Sequence, residues 1–247
     1  NEFDPSVEDV VSGGGPIHRH LTALRRSNLS APVQLLIRHG LLSPQTPLFD
    51  YGCGRGRDIS GLNANGFSAQ GRDPHYPADK PVVPADVVNL GFVVNVIEDP
   101  AERIEVLNKA FKLARQVLAV SVMLHGSDPA GRRFRDGYLT SIHTFQKYFA
   151  QAELKDYVEQ VLNQEAFMVG PGVALVFADK DLEQRFSAGR FRTRGVAMRL
   201  LARRTPRPAV VKVSRVKVVP ERLAPRPHKP TRPEIETAQN RPHLEAL

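Results

Sequence analysis

Asp50, Gly52, Gly54 and Gly56 fall at alternate positions in FDYGCGRGRD (49–58), giving the pattern D-x-G-x-G-x-G. Glycines at that spacing let the backbone turn sharply and let a ligand approach its amides without meeting a Cβ. If the loop opens a helix, the helix N-terminus adds unpaired N–H groups and a dipole that favours a carboxylate or phosphate. Asp50, on the strand side of the loop, is placed to meet an ammonium group. The chemistry expected is binding of a small cofactor, although a glycine loop alone also suits a dinucleotide or a tight turn with no ligand.

The elements that must position these residues narrow the choice. Thr46 to Asp50 reads as a strand running into the loop, and Asp58 to Asn65 as a helix ended by Gly66. Phe67 to Asp73 is a second strand, and its terminal Asp73 is placed to accept hydrogen bonds from both hydroxyls of a ribose. The third glycine follows the second by two residues, a tighter loop than the pyrophosphate fingerprint GxGxxG. S-adenosylmethionine is therefore expected over NAD, with Asp50, Gly52, Gly54, Gly56, Asp73, Asn89 and Gly91 as cofactor-binding residues. Asp58 caps the first helix or touches ligand. His75 and Tyr76 border an adenine or form a surface turn.

Asp86 to Leu90 is a buried parallel strand, and DVVNLGFVVNVIED (86–99) has the pattern of a strand breaking into a short helix at the cofactor's edge. Asp99 reads as the N-cap of a helix from Pro100 to about Arg115 rather than as a catalytic base. Gln116 to Leu124 is a further strand, followed by a polar loop from His125 to Tyr138. Ser141 to Ala150 and Ala152 to Gln164 look helical, and Glu165 to Val169 pairs with Val173 to Ala178 across a tight turn. The alternation predicts an α/β Rossmann-like fold with a mostly parallel sheet, helices on both faces and a C-terminal antiparallel hairpin. Such a hairpin is carried by Rossmann-like methyltransferases and is usually lacking in plain dinucleotide-binding domains.

At 247 residues, 41% hydrophobic and 24% charged, the chain can bury one full α/β core with appendages. The expected organisation is a flexible leader (1–16), N-terminal helices (17–45), the binding domain (46–181), a basic helical segment (182–204) and a Pro/Arg-rich tail or linker (205–247). Two helical patterns fall between Leu21 and Leu42, with Ser30 as N-cap of the second and Gly40 closing it. No apolar run approaches the roughly 18 to 20 residues that span a bilayer, and no signal pattern opens the chain, so a cytoplasmic protein is expected. Cys53, the single cysteine, excludes a Cys-cluster zinc site and reads as a packing residue between two glycines. No metal is expected.

The charge of +8 is uneven: fifteen Lys or Arg face two Glu between Glu183 and Arg232, a local +13 that leaves −5 elsewhere. Arg185, Arg190, Arg192, Arg194 and Arg199, with Phe186 and Phe191 interleaved, are the candidate nucleic-acid contacts. A solvated basic helix, or one packing on an absent partner, is the competing reading.

Four segments, RHLTALRRSNLSAPV (19–33), LFDYGCGRGRDISGLNANGFSAQGRDPHY (48–76), ADVVNLGFVVNVIEDPAER (85–103) and TFQKYFAQAEL (144–154), together resemble the bacterial DNA phosphorothioation-associated methyltransferases. The resemblance implies a class I methyltransferase fold, S-adenosylmethionine as cofactor, and DNA and the proteins of a DNA-modification system as partners. It supplies no catalytic residue. Amino-group DNA methyltransferases carry N-P-P-[FY] after the corresponding strand, where this chain has Asn89-Leu90-Gly91-Phe92. Asn89 could accept a hydrogen bond from an exocyclic amine while Phe92 stacks on an extruded base. With both prolines missing, the other reading has Asn89 and Gly91 bordering the cofactor and Phe92 packing beneath it. Two functions are thus expected: a methyltransferase acting on DNA, or a catalytically silent module of the same fold that binds DNA or a protein.

Overall fold

A computed structural model describes residues 16–23, 28–76, 78–126 and 131–189. The chain divides into two units, 1–201 and 202–247, and the second lies outside the described residues. In the first, strands β1 (Leu48–Tyr51), β2 (Ala69–Arg72), β3 (Ala85–Gly91) and β4 (Ala114–Ser121) alternate with helices α1 (Ala31–Arg38), α2 (Arg57–Ala64) and α3 (Pro100–Leu113). Then come β5 (Arg132–Phe134), β6 (Gly137–Leu139), β7 (Phe145–Gln146), α4 (Gln151–Leu162), β8 (Ala166–Gly170) and β9 (Val173–Phe177).

Six strands form one sheet in the order β2-β1-β3-β4-β9-β8. The first four run parallel, and β9 lies antiparallel between β4 and β8. Parallel neighbours need long crossovers, which α2 and α3 supply. Side chains alternate faces along each strand. Phe49, Val88, Leu118 and Val176 pack with Leu107 of α3 and Leu154 of α4, whereas Leu48, Val87, Val117 and Leu175 pack with Leu36 of α1 and Leu62 of α2. The helices therefore cover both faces. Because β1 is flanked by β2 on one side and β3 on the other, the chain leaves its central strands in opposite directions, which opens a crevice at their carboxyl ends.

Local signals hold at several element ends. The Asp99 carboxylate accepts the Ala101 N–H at 3.0 Å and caps α3, with Pro100 in the first turn. Ser30 stands at the N-cap position of α1, but its hydroxyl makes no capping bond.

Several expectations are corrected. Ser141 to Ala150 is not a helix: Phe145–Gln146 is the edge strand of a separate antiparallel sheet, β5-β6-β7. Packing decides this, since the Phe145 ring is fully buried and a Cβ on Gly137 would come 2.5 Å from its Cζ. The same sheet takes up part of the expected loop from His125 to Tyr138. Of the first N-terminal helical pattern, Leu21 and Thr22 belong to a 3-10 turn, Arg19–Thr22, and residues 24–27 lie outside the described residues. The segment after β3 forms a turn at Val93–Val96, not a short helix. In the basic segment, residues 180–189 are helical, and the Phe186 ring packs 5.0 Å from Phe177 and 5.8 Å from Phe167. That ring is partly buried against the core, and Arg185 beside it is exposed. Arg190, Phe191, Arg192, Arg194, Arg199, the tail from 205 and nearly all of the leader lie outside the described residues. Among the described residues no helix is long and apolar enough to cross a membrane, and no group of three or more His, Cys, Asp or Glu is placed to hold a metal.

Candidate functional site

A cleft of about 610 Å³ opens at the carboxyl ends of the central strands. Its floor is the loop that leaves β1, where Gly52, Gly54 and Gly56 have φ of +82°, +51° and +69°. Gly52 is also sterically required: a Cβ there would come 2.5 Å from Val93 Cγ2, so the loop lies directly on the turn after β3. Of the seven expected cofactor residues, Asp50, Gly52, Gly54, Asp73, Asn89 and Gly91 line the cleft; Gly56 instead occupies the N-cap position of α2. Phe92 lines it too.

The acids around the loop bond to the protein. Asp50 is buried, and its Oδ1 accepts from Asn89 Nδ2 at 2.8 Å across the β1–β3 pairing. Asn89 Oδ1 has no hydrogen-bond partner. Gly91 gives this amide room, since a Cβ there would come 2.9 Å from Asn89 Nδ2. Asp73 accepts the Gly54 N–H on Oδ2 at 3.0 Å and the His75 and Tyr76 N–H groups on Oδ1 at 2.9 and 3.3 Å. The residue expected on a ribose is thus also the post that holds the glycine loop. A carboxylate has about four lone-pair sites, so it can accept further bonds. Asp58 does not cap α2: its Oδ1 accepts the Ser30 N–H at 2.7 Å and ties the N-terminal segment to the loop helix.

Cys53 lies half-buried in this loop. Burial, then Asp50 and Asp73, push its thiol up to about 12. A thiol so shifted holds almost no thiolate at neutral pH, which leaves Cys53 as packing.

The N-terminal segment forms a strap beside the loop that sequence reasoning missed. The Arg19 guanidinium donates four hydrogen bonds of 2.6–2.9 Å to Glu98 and Glu102. Burial alone would raise the Glu98 carboxyl, but hydrogen bonds from Arg19 and a backbone N–H hold it below the usual carboxylate range. The Tyr76 hydroxyl donates to the His20 carbonyl at 3.0 Å, and the His20 ring stacks on His75 at 3.9 Å. Desolvation and the neighbouring His75, His18 and Arg55 lower the His20 pKa and favour its neutral form. Arg55 lies 4.9 Å over the Tyr76 ring. His75 and Tyr76 therefore anchor the strap.

The facing wall comes from the turn after β3, the end of β4 and β7. It presents Phe92, Asn95, Met123, Thr144 and Gln146. Phe92 adopts φ +60°, a conformation that L-residues with bulky side chains rarely take, and its N–H donates to the Ser121 carbonyl at 2.8 Å. Asn95 is 1% exposed and its Oδ1 has no partner. No sequence signal marked Asn95, because a lone asparagine in an apolar stretch reads as a turn residue.

The parallel strands, with β9 inserted antiparallel between β4 and β8, make this the Rossmann-like class I methyltransferase fold. No family model and no curated protein matches the chain. Some solved structures are similar to it. The sugar N-methyltransferase KedS8 from Streptoalloteichus sp. is 14% identical, covering 72% of this chain and 98% of its own, with a TM-score of 0.47. The 1,6-didemethyltoxoflavin-N1-methyltransferase of Burkholderia thailandensis, solved with S-adenosylhomocysteine, is 17% identical over 60% of this chain and 76% of its own, with a TM-score of 0.45. CalS10, an amino pentose methyltransferase from Micromonospora echinaspora solved with S-adenosylmethionine, is 14% identical over 60% and 90%, with a TM-score of 0.39.

Proposed function

We propose that the protein is an S-adenosylmethionine-dependent methyltransferase acting on DNA within a phosphorothioation-linked modification system. The observation that carries the cofactor assignment is the left-handed glycine loop seated at the switch point of the sheet, with Asp73 at the end of β2. The residues fit this cofactor. The loop is left-handed at all three glycines, and the orphaned Asn89 Oδ1 beside Asp50 offers an acceptor to an ammonium group. The loop amides and α2 would hold the carboxylate, and Asp73 the ribose hydroxyls. When bound, this cofactor supplies an electrophilic methyl group to an acceptor lone pair. The chain's own residues bind and orient, and orientation is worth most of the acceleration in such a displacement. Assignment of DNA and its modification proteins as partners rests on the family resemblance and on the +13 stretch between Glu183 and Arg232.

A silent module is the second reading, favoured by Asp73, whose two oxygens already accept three backbone N–H groups. Calorimetry with S-adenosylmethionine, S-adenosylhomocysteine and NAD tests the cofactor: the first two bind and NAD does not. Transfer of labelled methyl groups to phosphorothioated and plain DNA then separates enzyme from module. Cofactor binding without transfer to either DNA would favour the module.

A further inference from the structure

Asn95 sits in the turn after β3, where the Val96 N–H donates to the Val93 carbonyl at 3.1 Å. Its own carbonyl accepts the Lys147 N–H at 2.7 Å, which fixes this turn to the chain leaving β7. The side chain lines the cleft and is 1% exposed, yet Oδ1 has no hydrogen-bond partner. An unpaired buried amide oxygen is costly, and buried polar groups in folded proteins are nearly always paired. A ligand in the cleft would remove that cost. Asn89, the residue that the NLGF reading favoured, already spends one Nδ2 hydrogen on Asp50 at 2.8 Å, which fixes its amide against β1.

The surroundings of Asn95 define what it could bind. Phe92, three residues earlier, brings an aromatic side chain to the same cleft from a left-handed backbone. A non-glycine residue is held there only at a cost, so the position is enforced by the fold. Of the cations in the cleft lining, Arg19 pairs with Glu98 and Glu102, whereas Arg55, over the Tyr76 ring, and Arg57, at the start of α2, belong to the glycine-loop side; behind the wall, Arg103 pairs with Asp136, and Lys147 with Glu153 at 2.8 Å and Asp136 at 3.4 Å. This wall suits a neutral, planar group that brings its own N–H donor, and it is poorly suited to a phosphate or carboxylate.

We propose that Asn95 recognises the methyl acceptor, pairing its amide with an exocyclic amine and the adjacent ring nitrogen of a nucleobase. An asparagine amide matches the amino group and N7 of adenine with two hydrogen bonds, and Phe92 supplies the apolar face. This assignment rests on the methyltransferase reading above. Asn95 orients the base and exchanges no proton with it.

The test uses the whole chain saturated with S-adenosylhomocysteine, which keeps a nucleoside out of the cofactor site. Binding of 2′-deoxyadenosine is compared with that of its N6,N6-dimethyl derivative, which has no N–H to donate. The wild-type protein binds deoxyadenosine at least ten-fold more tightly than the dimethyl form. Asn95→Leu removes that difference and leaves the S-adenosylhomocysteine affinity unchanged. Equal binding of the two nucleosides by the wild-type protein, or binding of neither, overturns the proposal without any variant. A folded Asn95→Leu protein that keeps the ten-fold preference also overturns it. Failure of S-adenosylhomocysteine itself to bind is a different result, and it removes the methyltransferase reading together with this one.

Discussion

On the glycine-loop side of the cleft the acids are bonded to the protein itself: Asp50 to Asn89, Asp73 to Gly54, His75 and Tyr76, and Asp58 to Ser30. On the facing wall Asn95 is as buried as any of them and its Oδ1 is bonded to nothing. The difference separates two tasks. The loop keeps its left-handed backbone in one shape with internal hydrogen bonds, and on that side the open capacity is confined to Asn89 Oδ1 beside Asp50. In the proposal above, the wall discriminates among incoming groups with the bonding capacity that the fold leaves open at Asn95.

Gly52→Val would break the cradle side most severely. A β-branched side chain at φ +82°, with its Cβ 2.5 Å from Val93 Cγ2, cannot be accommodated without moving the loop or the turn. The expected loss is about 3 kcal/mol of stability, seen by thermal unfolding, and S-adenosylhomocysteine binding too weak for calorimetry. Wild-type affinity in this variant would show that the loop is not the cradle. Asp73→Ala leaves three backbone N–H groups without their acceptor. It should weaken S-adenosylhomocysteine at least ten-fold and cost about 1–2 kcal/mol.

Arg19→Ala probes the strap, where exposure weakens the ion pairs. Arg19 is 35% exposed and Glu102 37%, so the expected loss is about 1 kcal/mol or less, with faster proteolysis near residues 16–23 as the readout. The pH dependence has a defined sign. Glu98 is held below its usual pKa in the folded protein, so the Arg19 contribution is present above the ordinary glutamate range and is lost as pH falls through the lowered value. The stability gap between wild type and Arg19→Ala should therefore close in acid and stay constant at neutral pH. The smallest effect concerns Cys53: with its thiol near 12 it should react with iodoacetamide at pH 8 at least about a hundred-fold more slowly than a free cysteine. Fast alkylation would mean that the loop is looser than its hydrogen bonds imply.

Much of the cleft floor was legible in the residues. Asp50, Gly52, Gly54 and Asp73 are close in sequence to the strand ends that carry them, and local pattern locates strand ends. The helix starting at Pro100 was equally clear, because Asp99 and Pro100 act through the first turn alone. Ser141 to Ala150 was misread as helix because the strand pairing of Phe145–Gln146 comes from β6 and the burial of Phe145 from Gly137 and Arg103, which lie outside that stretch. Asp58 was weighed as a cap or a ligand residue, yet it serves an amide 28 positions away.

The sequence by itself determined the layered α/β fold, the glycine loop and the acid at the end of β2, because apolar alternation and glycine placement act through nearest neighbours along the chain. Only the tertiary structure decided which polar groups pair. Arg19 meets Glu98 and Glu102 across separations of 79 and 83 residues, and Asp50 meets Asn89 across 39. Whether a buried amide such as Asn95 is satisfied depends on every element packed around it, and that is settled only when the chain has folded.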